Sequence, residues 1–366
     1  MSELPELTPH EQEGSASPED SDAREYWPLE PWPSQPIAIE APPAELPMDA
    51  AIASDPALFH EGEPGSEAPL FESFTRPVAA PIVRIPHLGH LAVLVLLLLI
   101  GVVGDVIAMP VALHYRLFGI SNADQASTDI HYTLGSEGLI YLTALVGCVL
   151  IFPLLWHKSF FAGVAWRGAT ALRLKGLLVG AAFLCFLLAL LNGWLMPGPE
   201  NAPIDKIFRA PGAAWLLFGF GVTIAPFFEE LLFRGFLLPS LCTACDWTAA
   251  FVATFKARGR LDISTFSSAS RLLRPLDAEG QPQWSWTAMA IASVLTSIPF
   301  AGMHAEQTGY SLGPFLLLTC VSLVLCAVRL GARSLAASVL VHASYNFLLF
   351  SFMLWGTGGF RHLENM

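Results

Sequence analysis

Leu91-Ala-Val-Leu-Val-Leu-Leu-Leu-Leu-Ile-Gly-Val-Val103 holds no polar side chain over thirteen residues, and the apolar run extends to about 89–113. Spanning the hydrocarbon core of a bilayer takes roughly 20 such residues as a helix. A helix apolar on every side has no face to offer water. Six further runs follow, near 134–156, 174–196, 212–240, 286–303, 312–330 and 334–355. In lipid every backbone polar group must be satisfied internally, so runs of this length span as helices. The chain is therefore expected to be all-α: a polytopic integral membrane helical bundle of about seven transmembrane helices over residues 88–356, embedded in the lipid bilayer. The spacing of Gly176 and Gly180 in the third run would let helices approach closely, but ordinary packing is the expected role of both.

Of the 366 residues, 54 % are hydrophobic and 14 % charged, where soluble domains carry about a quarter charged. Residues 1–87 hold 17 acidic and 3 basic side chains and 16 of the 28 prolines. That stretch carries a net −14, leaving +2 for the other 279 residues against a chain total of −12. Acidic, Pro-rich sequence without apolar periodicity cannot bury enough surface to offset chain entropy. Residues 1–87 are expected to be a disordered acidic tail. The tail lacks the basic-then-apolar order of a signal peptide, and its charge gives nucleic acid nothing to bind. Four of the six cysteines sit in apolar runs, where Cys behaves as a small hydrophobe. Cys242-Thr-Ala-Cys245 is an isolated pair, short of a zinc set.

The fourth run reads Gly221-Val-Thr-Ile-Ala-Pro-Phe-Phe-Glu229-Glu230-Leu-Leu-Phe-Arg234-Gly235. Three ionisable groups at membrane depth cost roughly 9 kcal/mol together on insertion scales. They must face the bundle interior or a wet cavity. Glu230 and Arg234 are one turn apart and can pair. Glu229 is rotated about 100° from Glu230 and is free to face elsewhere. The fifth run ends Phe300-Ala-Gly-Met-His304, and the seventh contains His342-Ala-Ser-Tyr-Asn346 on one helix face. Carboxylate, imidazole and amide together supply what hydrolysis by activated water requires: a base, a holder of the water and donors for the oxyanion.

At these residues the chain resembles the CPBP or Abi family of intramembrane proteases, which includes the type II CAAX prenyl endopeptidases. The motifs EExxxR, FxxxH and HxxxN appear in order as Glu229-Glu230…Arg234, Phe300…His304 and His342…Asn346. The resemblance covers about 140–350, with a longer than expected basic insert near 242–285. It implies an intramembrane endopeptidase acting on a peptide or protein substrate in the membrane or on a C-terminal tail. By the same resemblance Glu229 and His304 activate water, His342 and Asn346 form the oxyanion pocket, and Glu230, Arg234 and Phe300 support them. Zinc on Glu229, His304 and His342 and a metal-free pair of Glu229 and His304 both stay open. A different class of function uses the same cluster without catalysis, as a transporter or binding protein for protons or cations. The amide of Asn346, which a proton relay does not need, favours the protease.

Loop charge sets an expected orientation. Lys158, Arg167, Arg173 and Lys175 follow the second run, and Lys256, Arg258, Arg260, Arg271 and Arg274 follow the fourth. Arg329 and Arg333 flank the turn after the sixth, while the alternate loops are poor in base. The positive-inside rule places the basic loops and the N-terminus in the cytoplasm, with the cytoplasmic (plasma) membrane as the expected location. A compartment reporter fused after Arg260 is thus expected to read cytoplasmic and one near Gly309 exterior. The same compartment for both would rule out seven spans in this order.

Overall fold

The computed structural model describes residues 84–196, 198–199, 203–208, 212–259, 276–277 and 280–360. The expected tail falls outside them except for residues 84–87, as does 260–275 of the insert. The helices are α1 (Leu88–His114), α2 (Ala123–Thr128), α3 (Ile130–Trp156), α4 (Phe160–Gly163), α5 (Gly168–Arg173), α6 (Lys175–Leu195) and α7 (Pro203–Phe208). They continue with α8 (Ala213–Val222), α9 (Ile224–Glu230), α10 (Leu238–Arg258), α11 (Trp286–Met303), α12 (Leu312–Ala332) and α13 (Leu335–Gly356). Among the described residues seven helices are long and apolar enough to cross a membrane: α1, α3, α6, the composite Ala213–Arg258, α11, α12 and α13. Local chemistry sets their ends. Asp129, Ser285 and Ser334 cap α3, α11 and α13 by accepting backbone N–H groups, and Gly259, at φ 68°, ends α10.

The polarity of the bundle is inverted relative to a protein that folds in water. Leu96, Leu99, Val103, Val106 and Ile107 of α1 stand exposed on its outside. Glu230, Arg234, Thr296, Ser297, Ser322, Arg329, Ser338 and His342 are buried within. Only lipid makes that arrangement favourable, since it solvates the apolar exterior and leaves charged groups to find partners inside. This is an integral membrane protein.

The composite fourth span departs from the expected 212–240. Its 46 residues rise roughly 70 Å as helix, against about 30 Å for the bilayer core. The beginning of the anticipated insert is therefore a direct helical continuation of the span. The returning segment is fastened to α10 by Trp284 Nε1 donating to Thr243 Oγ1 at 3.0 Å and Ser285 Oγ donating to Asp246 Oδ1 at 2.6 Å. Behind the site, Leu231 and Phe236 pack against Phe152, Trp156 and Phe160, with Leu94 and Leu97 of α1 in the same cluster.

Gly176 and Gly180 hold the ordinary positions expected of them, and the close helix approach lies between α1 and α3. A Cβ at Gly176 or Gly180 would meet nothing within 4 Å, whereas one at Gly101 would lie 3.0 Å from both Cα and O of Ile140 on α3. Rigid backbone, unlike a flexible side chain, cannot yield there. Gly101→Val is expected to lower thermal stability in detergent by about 1–3 kcal/mol, the usual cost of overpacking. Gly104→Ala, where a Cβ meets nothing, is the control and is expected to be neutral or slightly stabilising. Equal behaviour of the two variants would contradict the α1–α3 packing.

Candidate active site

The fourth span is broken twice around the motif. Thr223, at φ −117° and ψ −68°, separates α8 from α9, two residues before Ala225-Pro226, where Pro removes one rung of the helical ladder. After Glu230 the backbone widens over Leu231–Leu237 into i→i+5 turns, the last closed by Leu238 N–H on Phe233 O. Such wide turns recur at functional sites. Glu229 and Glu230 thus stand at the junction of a short helix and a wide one.

Glu230 and Arg234 are wholly buried. Arg234 Nη1 donates to Glu230 Oε1 at 2.8 Å, and Arg234 Nη2 donates to Ser322 Oγ at 2.7 Å and Ser322 O at 3.1 Å. The guanidinium lies over the ring of Phe300, 4.5 Å from its centroid. Phe300 also meets Phe233 edge-on at 5.2 Å and borders His304 and His342. This explains the FxxxH spacing, since the last turn of α11 carries the plate beneath Arg234 and its C-cap carries the imidazole of His304. His342 Nδ1 lies 3.0 Å from the same Glu230 Oε1.

Glu229 has different surroundings. Its Oε2 is buried without a protein hydrogen-bond partner, 3.8 Å from His304 Nε2 and 3.7 Å from His342 Nε2. Both separations are too long for a direct hydrogen bond and suit one shared oxygen between the groups. The Glu229 side chain keeps 12 % of its surface accessible and that of His304 18 %. His342 therefore stands between the two carboxylates. With Nδ1–H donating to Glu230, a neutral ring presents a lone pair at Nε2, and a second proton turns Nε2 into a donor.

Six of the seven residues singled out by sequence thus meet: Glu229, Glu230, Arg234, Phe300, His304 and His342. Asn346 points to the edge of this group, where its Nδ2 donates to Gly221 O on the last turn of α8 at 2.7 Å. Ser322 and Tyr141 were not foreseen. Tyr141 stacks on Phe228, next to Glu229, with centroids 4.4 Å apart, and donates to Glu137 Oε1 at 2.6 Å. Neither sits in a short motif, although Glu137 is a carboxylate within an apolar run. Arg329, in the last turn of α12 and so beside the turn as expected, is buried rather than exposed to solvent.

The residues of the zinc option, Glu229, His304 and His342, lie side by side, with the Glu229 Oε2–imidazole separations at 3.7 and 3.8 Å. Bonds of about 2.0–2.2 Å to a tetrahedral ion hold donor atoms roughly 3.3 Å apart, shorter than both separations here. Among the described residues no three His, Cys, Asp or Glu side chains form a group able to hold a metal. A cavity of about 900 Å³ between α11 and α12 is lined by Trp284, Trp286 and Arg333 but by none of the motif side chains.

Residues 211–259 and 272–348 match the family model described as type II CAAX prenyl endopeptidase Rce1-like. The match covers 126 residues, about a third of the chain, and is consistent with a CPBP/Abi-type intramembrane protease. No curated protein and no solved structure matches significantly.

The ion pair makes a specific demand. Glu230→Gln leaves Arg234 buried without its countercharge, which costs about 3–5 kcal/mol, and is expected to lower abundance and thermal stability. Replacing Glu230 by Gln and Arg234 by Met together removes the orphan charge and is expected to regain part of the loss. Thermal unfolding in detergent checks both, and a double variant less stable than either single one would contradict the pairing.

Proposed function

Because residues 211–348 are similar to the Rce1-like endopeptidases, we propose that this chain hydrolyses peptide bonds of membrane-associated or C-terminal-tail substrates with Glu229 as general base. The observation that carries the reading is Glu229 Oε2 facing two imidazole Nε2 atoms at 3.8 and 3.7 Å, beside a Glu230 whose Oε1 is already committed to Arg234 and His342. Water held between Glu229 Oε2 and His304 Nε2 attacks the substrate carbonyl carbon as its proton passes to Glu229. The new oxyanion accepts from Nε2–H of His342, whose positive charge is balanced by Glu230 through Nδ1. Collapse breaks the C–N bond, and Glu229 returns the proton to the leaving amine. Asn346 has a second amide hydrogen beyond the one on Gly221 O, and that hydrogen is its means of serving the oxyanion. No step runs through a metal.

Activity is measured with purified protein in detergent on a panel of peptides, farnesylated CAAX peptides and unmodified ones alike. Glu229→Gln keeps shape and polarity but removes the base, and is expected to lose about 10²–10⁴-fold in rate while the protein remains folded. Full activity in Glu229→Gln, with Glu230→Gln stable but dead, would exchange the roles of the two carboxylates. A chelator is expected to leave the wild-type rate unchanged. Loss on chelation with recovery on added zinc would replace the metal-free route with a zinc one.

A further inference from the structure

The carbonyl of Arg234 lies at a gap in the backbone ladder. The wide turns close last with Leu238 N–H on Phe233 O. The next rung of that i→i+5 series would bring the N–H of residue 239 to Arg234 O, but residue 239 is Pro and has no N–H. Arg234 is 0 % exposed, so bulk water cannot reach it, and a buried unpaired carbonyl is costly. The donor comes from α12: Arg329 Nε donates to Arg234 O at 3.1 Å, and Arg329 Nη2 donates to Val164 O at 3.5 Å. Arg329 is itself 5 % exposed, and its bonds go to backbone carbonyls rather than to a carboxylate. Burying a second guanidinium beside Arg234 is expensive for packing alone. Seven residues earlier on the same face of α12, Ser322 holds the Arg234 side chain. One helix thus grips both the backbone and the guanidinium of Arg234.

We propose that Arg329 is a positioning residue of the site, supplying the donor that Pro239 withholds and so fixing the wide turn that sets Glu229, Glu230 and Arg234 in register. Its effect on rate rests on the protease reading above, whereas its effect on the backbone does not.

The test uses full-length protein in detergent: wild type, Arg329→Met, Arg329→Lys, Pro239→Ala and the double variant Arg329→Met with Pro239→Ala. Hydrogen exchange is followed by mass spectrometry, together with cleavage of the farnesylated CAAX peptide. Arg329→Met is expected to raise exchange in peptides covering 231–238 by about tenfold or more, with α1 and α6 unaffected. It is expected to lower kcat by about 10²-fold, the scale of a small misplacement, with little change in KM. Arg329→Lys, which keeps one donor, is expected to fall in between. Pro239→Ala restores a backbone N–H at the gap, so the double variant is expected to recover both protection and kcat. A merely packed Arg329 would show no such rescue. Exchange rising throughout the bundle, an Arg329→Met protein indistinguishable from wild type, or a double variant as defective as Arg329→Met would each overturn the proposal. If Arg329→Met alone does not accumulate, recovery of folded protein in the double variant supports the proposal and its failure overturns it. If wild type cleaves no peptide, the protease reading fails while the exchange data still decide the role of Arg329.

Discussion

The buried pair of Glu230 and Arg234 is the constraint around which the bundle is organised. Two full charges in an apolar interior are tolerable only when each has close partners, and here these fall on Glu230 Oε1 and the two Nη atoms of Arg234. Arg234 therefore draws Ser322 from α12 and rests on Phe300 of α11, and Glu230 draws His342 from α13. Three helices converge on one residue pair of a fourth. His304 and Glu229 reach their common point because neighbouring residues on their own helices are held there.

The fourth span shows what such convergence demands of a helix in lipid. Leu91–Val103 is regular, and its backbone is satisfied internally, so it needs nothing from its neighbours. The span bearing the motif is interrupted near Pro226 and again at Pro239, and each interruption releases a carbonyl at membrane depth. Asn346 meets Gly221 O on one side, and Arg329 meets Arg234 O on the other. Polar side chains at these places are answers to missing backbone donors as much as parts of a chemical site.

Adjacent carboxylates with unlike surroundings take unlike tasks. Glu230, sealed and with Oε1 bonded to both Arg234 and His342, is suited to hold charge in place, whereas Glu229, with no ion pair to a guanidinium among the described residues and 12 % of its side chain accessible, is suited to exchange a proton. His342 joins them, so the state of one carboxylate is felt by the other across a single imidazole ring.

The sequence by itself determined the seven spans, because length and apolar character decide insertion without reference to neighbours. It also determined the Glu230–Arg234 pair, since i and i+4 lie one turn apart on any helix. The meeting of FxxxH and HxxxN residues with the glutamates was legible only as the scarcity of such groups in an apolar chain and through the family resemblance. Tertiary structure decided which contacts they make: that His342 bridges both glutamates, that Asn346 reaches back to Gly221, and that Arg329, beside its turn, is buried rather than exposed to solvent. Arg329 looks the same in sequence whether its side chain meets solvent or fills a backbone gap, because its partner, a carbonyl 95 residues away, carries no side-chain signature. The close approach of α1 and α3 at Gly101 was hidden for the same reason, since a glycine shows what it omits only when the facing backbone is known.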